Sequence, residues 1–492
     1  MTRIVFRGAL VFLLVALSAP ALSQGDFPLH YVDQKDFWSD PFSQLAVWLR
    51  CNKAGPRGHP TLLKDKRVRF DYLRIGTRSV LIGATEGRNG YIYVDRDGDR
   101  DLTDENPVPK RPGDVARWCG PVVLQVDGPN DEKLQARFNV VPGRTRLYPL
   151  MLVITPAGYR TGQVRLGQAT CKIAVVDANL NGYYNDIAKD LSLSDEPGGD
   201  FLAIDLNHDG RLDPEDELCP LPRRIMSGGV LYRLSVQPDG SMVRLKPETP
   251  DFKWGQLEAE NKNIRLTAFS FELGPFRLDG AAGPRRLPSG SYAVICEEVL
   301  RTDADGAQWA MKRLHVTQAV KGNVIVRYVT KDGAVEPVVC ERQMGKRWGR
   351  GFRISPAVPA KLATPVPEFR LDTDARRVEI RGEVRTVRVE AQILDQKILE
   401  YHCSPIRNGR PLGPPKMRIV DEGGRVLAAG TMSYSWRGRP VYFWKVPHEF
   451  KGKFRVLVAI SSGPFKIEHD ERWFDATRLS PFVEQWGEGS RH

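Results

Sequence analysis

Short runs of alternating apolar and polar residues, each ended by a turn signal, recur along most of this chain. A period of two sends successive side chains to opposite faces, so each run can bury one face of a strand and wet the other. LPSGSYAVICEEVL (287–300) and VKGNVIVRYVT (320–330) are good examples, and Pro-Ala-Gly at 156–158 and Pro-Asp-Gly at 238–240 are typical breaks. The 45 glycines and 36 prolines supply breaks throughout. The pattern predicts a mainly β protein. One helix is expected, at 40–50 (DPFSQLAVWLR), behind Asp40 as its cap.

At 492 residues the chain exceeds one domain of about 100–200 residues, so several are expected. Residues 24–250 form the first β-rich unit and 251–355 a second β module. The Pro/Ala-rich stretch 356–367 (PAVPAKLATPVP) looks like a linker. Beyond it, 368–475 carries about seven strand-like runs, among them RRVEIRGEV, KMRIVDEGGRVLAAG, PVYFWKVP and KFRVLVAIS. Their spacing suits an immunoglobulin-like sandwich. The tail 476–492 has no periodicity.

The first 23 residues set an expectation about compartment. Arg3 and Arg7 precede an apolar run, Ala9 to Leu17, and Ala21-Leu22-Ser23 follows with small residues at a cleavage site. That is the order of a signal peptide, too short to span a bilayer. A mature chain starting near Gln24, secreted or periplasmic and without a transmembrane helix, is therefore expected. The net charge of +12 raises the question of nucleic acid. The basic residues are scattered among strands with no long Lys/Arg run, which argues for solvated faces and against nucleic acid as a partner.

The acidic residues are concentrated. Asp177 to Glu217 holds 12 Asp/Glu against 2 Lys/Arg, a local balance of −10 in a chain of +12. Crowded carboxylates repel, so they need either open water or a cation. Their order favours a cation. YIYVDRDGDRDLTDE places Asp95, Asp97 and Asp99 at alternate positions, IAVVDANLNGYYND places Asp177, Asn179 and Asn181 likewise, and FLAIDLNHDGRLDPEDE repeats it with Asp205, Asn207 and Asp209.

This spacing resembles the Ca²⁺ loop of EF-hand and dockerin-type proteins. That resemblance implies side-chain oxygens from positions 1, 3 and 5, Gly at 6, a carbonyl from 7, a water-linked group at 9 and a carboxylate at 12. In the third loop Asp205, Asn207, Asp209, Gly210, Arg211, Asp213 and Asp216 fill those places in order, and Glu215 or Glu217 could stand in at the end. The first loop has Arg100 at position 6 and Gly98 at 4, with Asp104 and Glu105 just before position 12. The second keeps Gly182, has Asp177 as its one carboxylate at positions 1, 3 and 5, and has Asn185 and Asp186 nearby. The apolar eighth residue (Leu102, Tyr184, Leu212) should point away from the ion and fix each loop to a core. The resemblance covers about 12 residues per loop and not the helix–loop–helix fold. A β-branched or aromatic run precedes each loop (Tyr91–Val94, Ile173–Val176, Phe201–Ile204), and only Pro214–Leu218 could start a helix after the third.

Seven cysteines permit some disulfides, with Cys171 and Cys219 placed to staple the second and third loops or to stay as buried thiols. There is no CxxC, GxSxG, HExxH or Walker A pattern. His402 and Cys403, as strand neighbours, face opposite ways. His469-Asp470-Glu471 near Trp473 reads as a solvated strand end, and Glu297 and Glu298 as edge charges. The sequence therefore favours a non-catalytic exported calcium-binding protein whose β modules bind a surface protein or glycan. The alternative is a secreted, glycan-directed hydrolase with structural Ca²⁺, which needs two carboxylates set by the fold.

Overall fold

The computed structural model describes residues 24–34, 47–50, 68–75, 78–85, 91–110, 119–127, 133–143, 151–187, 199–213, 217–227, 229–249, 251–270 and 273–314. In the C-terminal part it describes 330–331, 334–335, 338–342, 345–349, 351–354, 360–362, 368–378, 386–394, 400–401, 404–434, 440–469 and 471–480. The candidate signal peptide, His402, Cys403 and Asp470 lie outside these residues.

The protein is mainly β and built of several sheets. The described residues contain no α-helix, only a 3₁₀ turn at Gly280–Ala282. None of their helices is long and apolar enough to cross a membrane. The expected helix at 40–50 is corrected where it is described: Val47–Arg50 is a strand, antiparallel to Met151–Pro156 with Val47 opposite Ile154. Val and Trp carry a strand preference, and pairing along the sheet edge outweighs a weak helical pattern.

Four sheets build the N-terminal part. Met151–Pro156, Lys133–Gly143 and Cys119–Asp127 extend the sheet begun by Val47–Arg50. It shares a core with the hairpin Val68–Ile75/Arg78–Thr85 and Ile92–Val94, through Ile82, Val94, Leu124, Phe138 and Ile154. A five-stranded sheet runs Leu218–Pro220, Phe201–Ile204, Ala169–Val176, Gly158–Leu166, His30–Asp33. It packs on the sheet of Gly25–Pro28, Met242–Glu248, Val230–Val236 and Arg224–Ser227 around Ile173, Leu202, Tyr232 and Leu245.

The next module centres on Gly290–Thr302, held between Ile264–Ser270 and Gln308–Leu314. Glu297 and Glu298 therefore sit on a central strand, buried, and not at an edge. A carboxylate in that place needs partners. Glu298 accepts from Arg265 and Arg277 at 3.2 Å each.

The stretch 356–367 is more than a spacer, since Ala360–Leu362 pairs parallel with Trp254–Ala259. Beyond it, two sheets face each other. One contains Phe369–Val378, Thr386–Leu394 and Pro440–Lys445, the other Lys416–Asp421, Val426–Thr431 and Lys453–Ala459. They enclose Val389, Ile419, Trp444, Phe454 and Val456, and Trp309 and Met311 of the preceding module join that core.

Cys119, Cys171, Cys219 and Cys296 are buried free thiols. Cys171 and Cys219 do not staple the loops. They are separated by the strand Phe201–Ile204, and the Cys219 thiol donates to the Leu202 carbonyl at 3.5 Å.

Candidate metal-binding loops

Each acidic segment begins where a strand ends, at Asp95 after Ile92–Val94, Asp177 after Ala169–Val176 and Asp205 after Phe201–Ile204. All three leading aspartates are buried. Buried carboxylates must be satisfied, and here the loop's own backbone does it. Gly98 N–H (2.5 Å) and Arg100 N–H (3.2 Å) donate to Asp95. Asn181 and Gly182 donate to Asp177 at 3.0 and 2.8 Å. Asp209 and Gly210 donate to Asp205 at 3.1 and 2.9 Å.

The backbone follows one course in all three. Positions 4 and 6 are left-handed: Gly98 (φ 88°) and Arg100 (68°), Leu180 (60°) and Gly182 (84°), His208 (60°) and Gly210 (80°). The first loop's departure is thus an exchange, with glycine at the fourth position in place of the sixth. Side chains at positions 3 and 5 cap the amide two residues on, as Asn207 does for Asp209 (2.9 Å) and Asp209 for Arg211 (2.8 Å). The eighth residues turn inward as expected: Leu102 and Tyr184 are buried, and Leu212 is half-buried against Ala174 and Ala203.

The glycines at position 6 differ in surroundings. A Cβ on Gly182 would lie 2.5 Å from Val126 Cγ2 and 3.2 Å from Ala136 N, whereas one on Gly210 meets nothing within 4 Å. Gly210→Ala should cost only the left-handed strain, about 1–2 kcal/mol. Gly182→Ala should cost clearly more in chemical denaturation, since the Ala136 backbone cannot step aside. Equal losses would contradict the tight seating of the second loop.

Not every predicted position joins its loop. Asp95, Asp97 and Asp99 bring oxygens within 4.8 Å of one another, the one such acidic trio among the described residues. Asp104 is exposed, and Asn185 makes no side-chain hydrogen bond into its loop among the described residues. Asp213 is drawn to the buried Lys312, 2.7 Å away on the neighbouring module. Asp216 lies outside the described residues. Loop closure comes from glutamates off position 12. Glu105 accepts from Arg96 N–H (2.5 Å), and Glu217 accepts from Leu206 and Asp213 N–H (2.9 Å each). Pro214–Leu218 was a candidate helix start, but Leu218 opens a strand.

The second loop gains a residue that its own register does not contain. Asn179 Nδ2 donates to Asp186 at 2.9 Å, and Asp186 N–H donates to Asp200 Oδ2 at 2.8 Å. Burial pushes the Asp177 carboxyl up to about 7, and burial, with Asp177 and Asp186 beside it, raises Asp200 as well. Burial also raises Asp95. Desolvation disfavours the charged form in each case. Asp200 precedes the strand Phe201–Ile204, which pairs with the strand Ala169–Val176 that Asp177 follows.

Beside the third loop lies a cleft of ≈ 460 Å³ lined by Asp205, His208, Trp254, Arg277, Arg285 and Arg286, among others. The Arg286 guanidinium lies 5.3 Å from the centre of the Trp254 ring. No protein-family model matches this chain, and no curated protein matches it.

Proposed function

We propose that this is an exported calcium-binding protein, non-catalytic, in which Ca²⁺ held by the three loops locks the N-terminal β sheets. The observation that carries this is the shared turn: three segments wrap one buried aspartate in the same backbone course, with alternate oxygen-bearing side chains. The donor set is all oxygen, which suits a hard cation such as Ca²⁺ better than zinc or copper. In the first loop Asp95, Asp97 and Asp99 would hold the ion. In the second Asp177, Asn179 and Asn181 would do so. In the third Asp205, Asn207 and Asp209 would act with the Arg211 carbonyl. Strands, not helices, lead into these loops, which suits a structural role over a switch. Affinities of about 10⁻⁴–10⁻³ M, usual in extracellular modules, would suffice outside the cell.

The modules beyond the loops would bind a surface partner. Trp254 and Arg286 offer a flat face and a cation, and Arg285 adds charge, a chemistry that fits an acidic glycan. Glycoside hydrolysis generally needs two carboxylates. Among the described residues the cleft lining offers one, Asp205, already engaged by its loop. That favours binding over the hydrolase alternative. Chelation tests the calcium function: EDTA should lower the melting temperature and Ca²⁺ restore it.

A further inference from the structure

Judged by its own twelve residues the second loop is the poorest in charge, yet the fold places one more carboxylate, Asp200, beside it. Val176 pairs with Phe201, so Asp177 and Asp200 meet at the same end of the sheet. Asp200 N–H donates to the Asp186 carbonyl, and Asp186 N–H returns a bond to Asp200 Oδ2, both at 2.8 Å. Asp200 is completely buried. Its second oxygen, Oδ1, has no hydrogen-bond partner among the described residues. None of Asp177, Asp186 and Asp200 pairs with a lysine or arginine among those residues. Arg160 is turned instead to the rings of Tyr31 and Tyr184.

A buried carboxylate with an unused oxygen is costly unless something positive meets it. Two more carboxylates beside it raise that cost. The third loop differs, since Lys312 holds Asp213 and backbone amides hold both Glu217 oxygens. We propose that Asp200, from outside the loop's own register, joins Asp177 and Asp186 to make the second loop the tightest Ca²⁺ site of this protein. The proposal rests on the calcium-binding function set out above. The three carboxylates stand wider apart than those at 95, 97 and 99, with Asp186 turned to the Asn179 and Asn181 amides. Binding draws Asp186 from those amides onto the ion. An oxygen-only set of three carboxylates and two amide groups favours Ca²⁺ over Mg²⁺, which tolerates only near-octahedral cages.

The test is calorimetric titration of Ca²⁺ into EDTA-stripped full-length protein, with Asp95→Ala/Asp205→Ala as the background that isolates the second loop. That background should keep one Ca²⁺ site, and adding Asp200→Asn should weaken it at least tenfold. Asp200→Asn alone should melt no lower than wild type in EDTA, because it removes a buried charge and keeps the shape. Asp186→Asn should reproduce the loss of affinity, which serves if Asp200→Asn does not fold. Unchanged affinity when either Asp200→Asn or Asp186→Asn is added to that background overturns the proposal, as does a loss of all Ca²⁺ binding in the Asp95→Ala/Asp205→Ala background itself. A wild type that takes up no Ca²⁺ overturns the calcium function itself.

Discussion

Phe454→Ala should destabilise the C-terminal sandwich by about 3–5 kcal/mol, the usual loss for a large aromatic cut from a packed core. Phe454 is completely buried on the strand Lys453–Ala459. It meets Trp444 of the facing sheet edge-on at 4.9 Å and stacks on Phe474 at 5.6 Å. Such ring pairs add roughly 0.5–1.5 kcal/mol beyond the area they bury, so the upper half of the range is expected. No loop residue belongs to this core. Calcium uptake should therefore be unchanged at temperatures where the variant is folded. Urea unfolding with calorimetry on the same sample checks both. A loss under about 1 kcal/mol would contradict the packed core around Phe454, and a changed Ca²⁺ affinity would contradict the separation of sandwich and loops.

Asp205→Ala should cost the metal-free protein about 1–3 kcal/mol, because Asp209 and Gly210 lose the acceptor of their N–H groups. On the proposed function the protein in Ca²⁺ should lose more, since the variant would also forfeit the ion proposed for the third loop. The comparison is one of differences: the gap between wild type and variant should widen when Ca²⁺ replaces EDTA. A gap of the same size in both conditions would mean that Asp205 serves only the turn.

Strand content was legible because Leu–Val–Ile alternation and turn residues act locally, as at Ala169–Val176 and Lys453–Ala459. Val47–Arg50 was misread because a four-residue run carries too little periodicity to tell strand from helix, and its partner is more than 100 residues away at Met151–Pro156. Glu297 and Glu298 looked like edge charges because nothing local reveals that Arg265 and Arg277 on other strands will meet Glu298. The loops show the same division. Positions 1, 3, 5 and 8 could be read from spacing; in the structure positions 1 and 8 are buried or half-buried, while positions 3 and 5 lie exposed or half-buried. Glycine at position 4 of the first loop looked like a fault, since the left-handed turn at that position appears only in the backbone. Asp200 was invisible to loop spacing, because strand pairing brings it to Asp177.

The most direct measurement is the melting temperature of the full-length protein at low ionic strength, in EDTA and then in excess Ca²⁺. Ca²⁺ at 100 times its Kd adds about 2.7 kcal/mol per independent site, so a rise of several degrees is expected. Asp205→Ala with Asp209→Ala should remove the third loop's share of that rise. An identical melting temperature in EDTA and in Ca²⁺ would contradict a calcium-locked fold.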